Sequence, residues 1–176
     1  MSAGLPEGFR LARAEDAAAI AALVNAAYRG GGGWTTEAGL LEGPRIDASG
    51  IAALLDRPGS VILLLETEGA LAGSVHLERR EGYAYLGLLA VDPARQAGGA
   101  GKRILAAAEA WMARTWGTTR VRMTVLTART ELLAFYGRRG YRPTGHREAF
   151  PENAGAGRPL RDGLALETLE KTLGPG

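Results

Sequence analysis

The chain has 176 residues, of which 46% are hydrophobic and 23% charged, and this balance favours one globular domain over a disordered segment. The formal net charge is only +2 and the arginines are scattered, so a solvated surface explains them better than a nucleic-acid-binding face. The absence of cysteine excludes disulfides, thiolate zinc sites and a cysteine nucleophile. The only histidines, His76 and His146, are far apart, so we expect no metal site. No apolar stretch approaches the length of a membrane span, and we expect a cytoplasmic protein.

The first predicted elements are a strand and two helices. A short strand is predicted at 9–13, and apolar residues at helical spacing predict a helix over 15–29. Four glycines at 30–33 end this helix. The stretch WTTEAGLLEGPR is predicted to be an irregular loop, and a second helix is expected at 47–56.

A meander and a strand–helix–strand unit are predicted next. Apolar runs at 60–67, 69–80 and 83–91 are separated by short turns, which predicts three antiparallel strands. After the glycine-rich stretch QAGGAGK, residues RILAAAEAWM place apolar side chains on one helical face. The alternating pattern of TRVRMTVL, residues 119–126, then predicts a half-buried strand.

The last predicted elements are a short helix and two strands. The helix lies in TELLAFYGRRG, with Thr130 as its N-cap and Gly140 at its C-terminal end. The strands lie in YRPTGHRE and DGLALETLEKTL, with the loop FPENAGAGRPLRDG between them. The resulting order, βααβββαβαββ, predicts an α/β (α+β) fold with a partly parallel sheet and helices on its faces.

The stretch QAGGAGK, residues 96–102, is a candidate anion site at a helix start. It lacks the first glycine and the Ser or Thr of a Walker motif, and Ile104 stands where a dinucleotide fingerprint needs glycine. Free N–H groups at a helix N-terminus favour a negative charge, and glycines let a pyrophosphate approach the backbone. An ordinary glycine-rich loop explains these residues equally well.

Two separate motifs resemble those of the GNAT acyltransferase superfamily. In LAVDPARQAGGAGKRIL, matching positions of the acetyl-CoA signature are occupied by Val91, Pro93, Gln96, Gly99 and Gly101. The stretch LLAFYGRRGYRPTG is similar to the second signature, and RLARAEDAAAIAALVNAAY resembles the first strand and helix of the family. The resemblance covers about residues 8–172.

The resemblance implies a fold and an activity. We expect a single GNAT-like domain over 8–172, with flexible ends at 1–7 and 173–176. Its sheet would be mixed, mostly antiparallel, of about seven strands, splayed at the cofactor cleft and flanked by about four helices. The implied activity is transfer of an acetyl group from acetyl-CoA to a primary amine by direct attack in a ternary complex, which suits a chain without cysteine.

The resemblance also implies a set of cofactor-binding residues. The pantetheine arm would lie between the strands at 83–91 and 119–126, and a backbone N–H near Leu89 or Val91 would stabilise the developing oxyanion. Arg129 stands where the family often has asparagine, seven residues before the helix tyrosine. One of three basic residues could meet the adenosine-side phosphate: Lys102, Arg103 or Arg138. The full set of expected cofactor contacts is Leu89, Val91, Gln96, Ala97, Gly98, Gly99, Ala100, Gly101, Lys102, Arg129 and Tyr136.

Tyr136 and Glu78 are the candidate catalytic residues. By resemblance Tyr136 is the general acid, although packing beside Phe135 would explain it too. Glu78 is a candidate general base, which shares a strand face with His76, and it reads equally well as a surface strand residue.

The acceptor site is predicted around the loop after the first helix. Tyr28, Trp34 and Glu37 are candidate acceptor contacts, and Glu37 or Glu42 could also act as the base. Glu148 beside His146 is a further alternative.

Several acceptors and two other functions remain open. The acceptor could be an amino acid, a polyamine, an amino sugar or a peptide N-terminus, and the protein could be a monomer or a homodimer. We expect no nucleic-acid or membrane partner. A non-catalytic acyl-CoA-binding or regulatory module is the alternative function. A nucleotide-binding protein of another class is disfavoured by the two motif failures.

Overall fold

A computed structural model of the chain describes residues 4–29, 40–42, 45–150, 158–160 and 163–174. The strands in the described residues are β1 (Phe9–Leu11), β2 (Leu41–Glu42), β3 (Ser60–Thr67), β4 (Ala70–Arg80), β5 (Tyr83–Val91), β6 (Arg120–Leu126), β7 (Arg142–Ala149), β8 (Arg158–Pro159) and β9 (Ala165–Thr172). Seven of them form the main sheet in the order β1-β3-β4-β5-β6-β9-β7, and the two short strands, β2 and β8, pair separately. All neighbours are antiparallel except β5 and β6, which are parallel.

Four helices cover the sheet, and their ends follow local chemistry. They are α1 (Ala17–Arg29), α2 (Ala48–Asp56), α3 (Ala100–Trp116) and α4 (Thr130–Arg138). The Asp47 side chain accepts a 2.7 Å hydrogen bond from the Gly50 N–H at the start of α2. α3 ends where Gly117 adopts a left-handed φ of 66°, a conformation that costs glycine little. The predicted α+β fold, with seven main strands and four helices, is confirmed.

Some predicted boundaries are wrong. β1 ends at Leu11 and not at residue 13, because the Arg13 N–H is held by Asp16 at 2.7 Å and a 3₁₀ turn begins. Thr130 is the first residue of α4 and not its N-cap. Arg129 occupies the cap, without a side-chain cap bond, and its carbonyl accepts from the Leu133 N–H at 3.0 Å. The predicted loops after α1 and after β7 contain the short strands β2 and β8.

Two apolar cores lie on opposite faces of the sheet. On one face, α3 and α4 pack against inward side chains such as Leu77, Leu86 and Val121. On the other face, α1 and α2 pack against a smaller set that includes Ile62 and Leu64. Side chains of β3 therefore alternate between the two apolar cores, which explains why residues 60–67 read as a continuous apolar run.

The sheet opens between β5 and β6. These parallel strands pair only at Ala84 with Val121 and at Tyr85 with Arg122. Beyond these pairs the two strands diverge, whereas β6 pairs with β9 along its full length. The second half of β5 is therefore left without a neighbour on that side, as the predicted splayed sheet requires.

Candidate active site

A bulge distorts β5 at this opening. Gly87 lies opposite His76 and Ala90 lies opposite Ser74, so Leu88 and Leu89 share the space of one residue on β4. Leu88 has a φ of 52°, which is uncommon for a residue with a large side chain. Strained backbone of this kind concentrates at functional sites, and bulges are over-represented next to active sites.

Tyr85 lies against the backbone of Gly87 just before the bulge. A Cβ atom on Gly87 would lie 2.8 Å from Tyr85 Cε1, so only glycine leaves room for the ring. The Tyr85 hydroxyl reaches to 3.4 Å from Thr124 Oγ1, across the opening on β6. Tyr85 thus borders the opening where the two strands separate.

A cavity of about 250 Å³ occupies the opening and is lined from both faces of the sheet. Tyr28 lines it from α1, and Leu132 and Tyr136 line it from α4. The rest of its lining is Arg45, Tyr85, Leu86, Gly87, Leu88, Leu89, Met123, Thr124, Val125, Leu126, Arg129, Phe150 and Leu166. Among the described residues that line it, the only formally charged groups are two guanidiniums and none is a carboxylate.

Tyr136 lines this cavity from a buried position on α4. Its ring packs edge-on against Phe135 and Tyr141, with centroids 5.4 and 5.8 Å away. Burial raises the pKa of the Tyr136 hydroxyl well above its usual range, and nearby Arg129 partly opposes this shift. Tyr136 is therefore a neutral phenol at physiological pH, able to donate a hydrogen bond into the cavity.

Arg45 and Arg129 approach the ring of Tyr28. Their guanidinium carbons lie 5.8 and 6.0 Å from its centroid, within the range of cation–π contacts. Asn25 on α1 fixes this arrangement: its amide oxygen accepts from the Arg45 N–H at 2.7 Å, and its amide nitrogen donates to the Ile46 carbonyl at 2.7 Å. Arg129 therefore lies beside the predicted acceptor contact Tyr28. It does not line a further cavity, described below, that lies between the start of α3 and α4.

Glu78 does not line this cavity. It is buried on β4, where Arg57 Nη1 donates to its Oε1 at 2.8 Å and Arg80 Nε donates to its Oε2 at 2.6 Å. His76 Nε2 lies 3.9 Å from the same carboxylate and 2.8 Å from Ser60 Oγ. Burial lowers the pKa of His76 to about 4, so the imidazole is neutral at physiological pH.

A second groove, of about 560 Å³, adjoins the first cavity along Tyr85, Met123 and Thr124. It contains His146 and Glu148, the alternative acid–base pair, on the exposed strand β7. Glu148 therefore lies next to the opening and not inside the first cavity.

The glycine-rich stretch that was predicted to bind an anion lies at the start of α3. A 3₁₀ helix, Pro93–Gly98, which includes the backbone of Gln96 and Ala97, leads to Gly99 with a φ of 72°, and α3 then begins at Ala100. A Cβ atom on Gly98 or Gly99 would meet no protein atom within 4 Å, so the space above this turn is open. The first N–H groups of α3 have no intrahelical partner and attract negative charge.

A cavity of about 320 Å³ lies between this helix start and α4. Gly99, Gly101 and Lys102 line it on one side, and Glu131, Phe135, Arg138 and Arg139 line it on the other. Arg139 packs over the Phe135 ring at 3.9 Å, and its buried Nε has no hydrogen-bond partner within the described structure. Three cations against one carboxylate, with an unsatisfied guanidinium nitrogen, fit a ligand that carries phosphate groups.

The remaining predicted residues lie as follows. Leu89 and Val91 are buried in β5 at and after the bulge. Arg103 points away from the α3 cavity, with its guanidinium 6.0 Å from the Phe9 ring. Trp34 and Glu37 lie outside the described residues.

Sequence reasoning missed the Leu88 bulge, Tyr85 and Arg45. The glycine at position 87 was an available signal, since glycine inside a strand often marks a bulge or a close backbone approach. Arg45 carries no local signal, because only the fold brings it to Tyr28. Within the described part of the chain, no helix could cross a bilayer and no cluster of His, Cys, Asp or Glu could hold a metal.

Solved structures share this fold at low sequence identity. The ribosomal-protein-S18-alanine N-acetyltransferase from Escherichia coli matches 96% of this chain and 94% of its own, with a TM-score of 0.73 and 15% identity. The ribosomal-protein-alanine N-acetyltransferase from Brucella melitensis matches 94% of this chain and 99% of its own, with a TM-score of 0.69 and 21% identity. The Salmonella typhimurium protein yncA, solved with its cofactor acetyl-CoA, matches 96% of this chain and 94% of its own, with a TM-score of 0.69 and 19% identity.

No curated protein sequence matches this chain significantly. The model of the acetyltransferase (GNAT) family matches residues 32–141, which is more than half of the chain. The splayed sheet, the glycine turn before α3 and the family match agree with one another. The chain belongs to the GNAT family of acetyltransferases.

Proposed function

We propose that this protein transfers an acetyl group from acetyl-CoA to the primary amine of a small molecule, by direct attack in a ternary complex. The observation that carries the proposal is the cavity at the β5–β6 opening, which is lined by both Leu88 of the bulge and the buried Tyr136. Acetyl-CoA supplies the acetyl thioester. The chain has no cysteine to accept the acetyl group first, so transfer straight to the amine is the simpler route.

Residues of the cavity between the start of α3 and α4, the α3 cavity, would hold the phosphates of acetyl-CoA. The N–H groups at the start of α3 would hold the pyrophosphate, as the Gly99 turn leaves the space above them open. Lys102, Arg138 and Arg139 would offset the remaining phosphate charge. The main chain of β5 beyond the bulge would bind the pantetheine arm along its unpaired side.

Two groups of this chain would promote the reaction. A main-chain N–H of Leu88 or Leu89 at the bulge would donate to the carbonyl oxygen as negative charge develops there. Tyr136 would donate a hydrogen bond to the departing sulfur. The proton lost from the attacking amine would pass to solvent water, because no described lining residue is a carboxylate that could accept it.

Glu78 is not assigned direct contact with the amine. Its carboxylate is held by two arginines and lies outside the described lining of the cavity. A role through water remains a prediction, and Glu78→Gln tests it. If Glu78 is only structural, the pH profile of kcat/KM keeps its shape and the variant loses stability, because Arg57 and Arg80 lose their charged partner.

A non-catalytic acyl-CoA-binding module is the second candidate, favoured by the lack of a carboxylate in the described lining of the cavity. Release of CoA from acetyl-CoA across a panel of primary amines separates the two. The proposed enzyme releases CoA only when an accepted amine is present. Acetyl-CoA binding without release, across amino acids, polyamines, amino sugars and peptides, would identify the module instead.

Thermal shifts with acetyl-CoA, CoA, ATP and NAD test the ligand class independently of turnover. We expect stabilisation by both CoA forms and none by NAD. Stabilisation by ATP but not by CoA would refute the assignment of the α3 cavity.

A further inference from the structure

Tyr85 and Thr124 stand between the cavity at the β5–β6 opening and the second groove. Together with Met123 they are the described residues that line both spaces. Tyr85 is the last residue of β5 that pairs with β6, and Thr124 lies two residues beyond its pairing partner Arg122. The hydroxyl oxygens of Tyr85 and Thr124 approach to 3.4 Å, so the two side chains meet where the strands begin to diverge. The cavity and the groove therefore share one wall, made by residues of β5 and β6.

Contacts on several sides hold the Tyr85 ring in this wall. The guanidinium carbon of Arg80 lies 5.5 Å from the ring centroid, within the range of cation–π contacts. The His76 ring meets it edge-on, with the two centroids 6.4 Å apart. A Cβ atom on Gly87 would lie 2.8 Å from Tyr85 Cε1 and 3.1 Å from its hydroxyl, so the ring packs directly on the backbone there. A ring packed in this way stays close to one rotamer.

Glu78 fixes the position of Arg80. It lies directly opposite Tyr85 in the pairing of β4 with β5, and its buried carboxylate accepts from Arg80 Nε at 2.6 Å. The other carboxylate oxygen accepts from Arg57 Nη1 at 2.8 Å. The carboxylate is therefore occupied in holding the guanidinium that covers Tyr85, which gives this buried charge a role beside the opening.

We propose, on the basis of the function proposed above, that Tyr85 and Thr124 form a barrier that limits the length of the acceptor, and that Glu78 is a positioning residue that acts through Arg80. The amine would react beside Tyr136, and the rest of a short acceptor would stay within the cavity of about 250 Å³. A longer acceptor would have to displace the Tyr85 ring to reach the second groove. The barrier therefore selects short primary amines over longer ones that carry the same amino group.

The test compares acceptors that share one amino terminus and differ in length. L-alaninamide, L-alanyl-L-alaninamide and tri-L-alaninamide are assayed by CoA release with the full chain, since an extended peptide gains about 3.3–3.6 Å per residue. The wild-type kcat/KM for alaninamide should exceed that for the trimer roughly ten- to hundred-fold, as exclusion from a pocket by size allows. Tyr85→Ala should remove most of this difference by lowering the KM for the trimer, because loss of the ring joins the two spaces. Tyr85→Leu, which keeps an apolar side chain in the sheet, should do so in part and serves if Tyr85→Ala does not fold.

Matched variants separate the barrier from general effects on the fold. Tyr83 lies on the same face of β5 and lines the second groove, but it is not among the described residues that line the cavity, so Tyr83→Ala should keep the length preference. Glu78→Gln should lose part of the preference with unchanged CoA affinity, and Glu78→Asp, which keeps the charge, should retain more of it. An unchanged ratio of kcat/KM values in Glu78→Gln would overturn the positioning role, because a purely structural Glu78 affects stability and not the choice of acceptor.

The outcomes distinguish this inference from the proposed function. Equal use of the three amines by the wild type, or no gain for the trimer in Tyr85→Ala and Tyr85→Leu, would overturn the barrier while CoA release upheld the proposed function. If no amine is turned over, which would count against the proposed function, the same three compounds are titrated calorimetrically into the protein saturated with CoA. Tighter binding of the trimer to Tyr85→Ala than to the wild type supports the barrier, and the absence of such a difference overturns it.

Discussion

Replacement of Tyr136 by phenylalanine removes one hydroxyl from the cavity at the β5–β6 opening, the reaction cavity. The packing of its ring against Phe135 and Tyr141 should survive, because the change removes only the oxygen atom. We expect the free energy of unfolding to change by no more than about 1 kcal/mol. Any larger effect on turnover then reports on chemistry and not on folding.

The size of the expected effect follows from two pKa values. Burial raises the pKa of Tyr136 above the usual value for tyrosine of about 10, whereas the pKa of a free thiol is about 8.5. Complete proton transfer from the phenol to a departing thiolate is therefore uphill, and Tyr136 acts mainly as a hydrogen-bond donor. Such a bond to a charged group contributes about 1.5–3 kcal/mol, so kcat should fall roughly ten- to hundred-fold.

The assay measures initial rates of CoA release at saturating amine, together with CoA affinity by calorimetry. Tyr141→Phe is the matched control: Tyr141 is also buried, but its hydroxyl donates to Glu109 at 2.8 Å and does not line the reaction cavity. That control should lose stability and keep kcat. A Tyr136→Phe enzyme with wild-type kcat and unchanged CoA affinity would refute the proposed role of the hydroxyl.

Four further substitutions test other parts of the structure. Gly99→Ala and Gly117→Ala each force alanine into a left-handed φ, 72° and 66°, and each should cost about 1–2 kcal/mol of stability. Only Gly99→Ala should also weaken CoA binding. If the two variants bind CoA with equal affinity, the anion site at the start of α3 is contradicted. The pKa of His76 falls from 6.5 to about 4 on folding, so the unfolded chain binds more protons than the folded chain between these two pH values. The free energy of unfolding should therefore fall by up to about 3 kcal/mol as the pH drops through this range. Urea unfolding of His76→Gln should show a smaller loss between pH 6.5 and 4, and an identical loss would count against the burial effect. Gly87→Ala would bring the new Cβ atom to 2.8 Å from Tyr85 Cε1 and displace the ring. The KM for the amine should then rise with little change in CoA affinity. Unchanged amine kinetics would exclude the Tyr85 ring from the acceptor site.

Sequence reasoning predicted the parts of the fold that depend on local pattern. The meander of β3, β4 and β5, the amphipathic helix α3 and the glycine turn before it all follow from the order of apolar, charged and glycine residues over short windows. The family was identified for the same reason, since its motifs are continuous in sequence. The N-cap of α4 was predicted wrongly because a threonine beside a helix start is a weak signal when the preceding residue can occupy the cap.

The site could be predicted only in part, because its residues come from distant segments. Glu78 looked like a free strand carboxylate in sequence, and the fold neutralises it with Arg57 from the turn before β3 and Arg80 from its own strand. The contact of Arg129 with the cofactor stays a prediction, and the fold also brings its guanidinium to 6.0 Å from the Tyr28 ring, a proximity that the sequence did not indicate. Such contacts depend on how strands and helices pack, which no local pattern encodes.

The sequence by itself determined the mixed sheet, the covering helices and the glycine turn before α3, because each rests on hydrophobic period or on backbone freedom within a few residues. The tertiary structure decided where the sheet opens, because β5 and β6 pair at two positions and the Leu88 bulge follows on β5 beyond them. It also decided which side chains meet beside the cavity at this opening, because Arg45 and Arg129 become neighbours of Tyr28 only when α1, the segment before α2 and the start of α4 pack together.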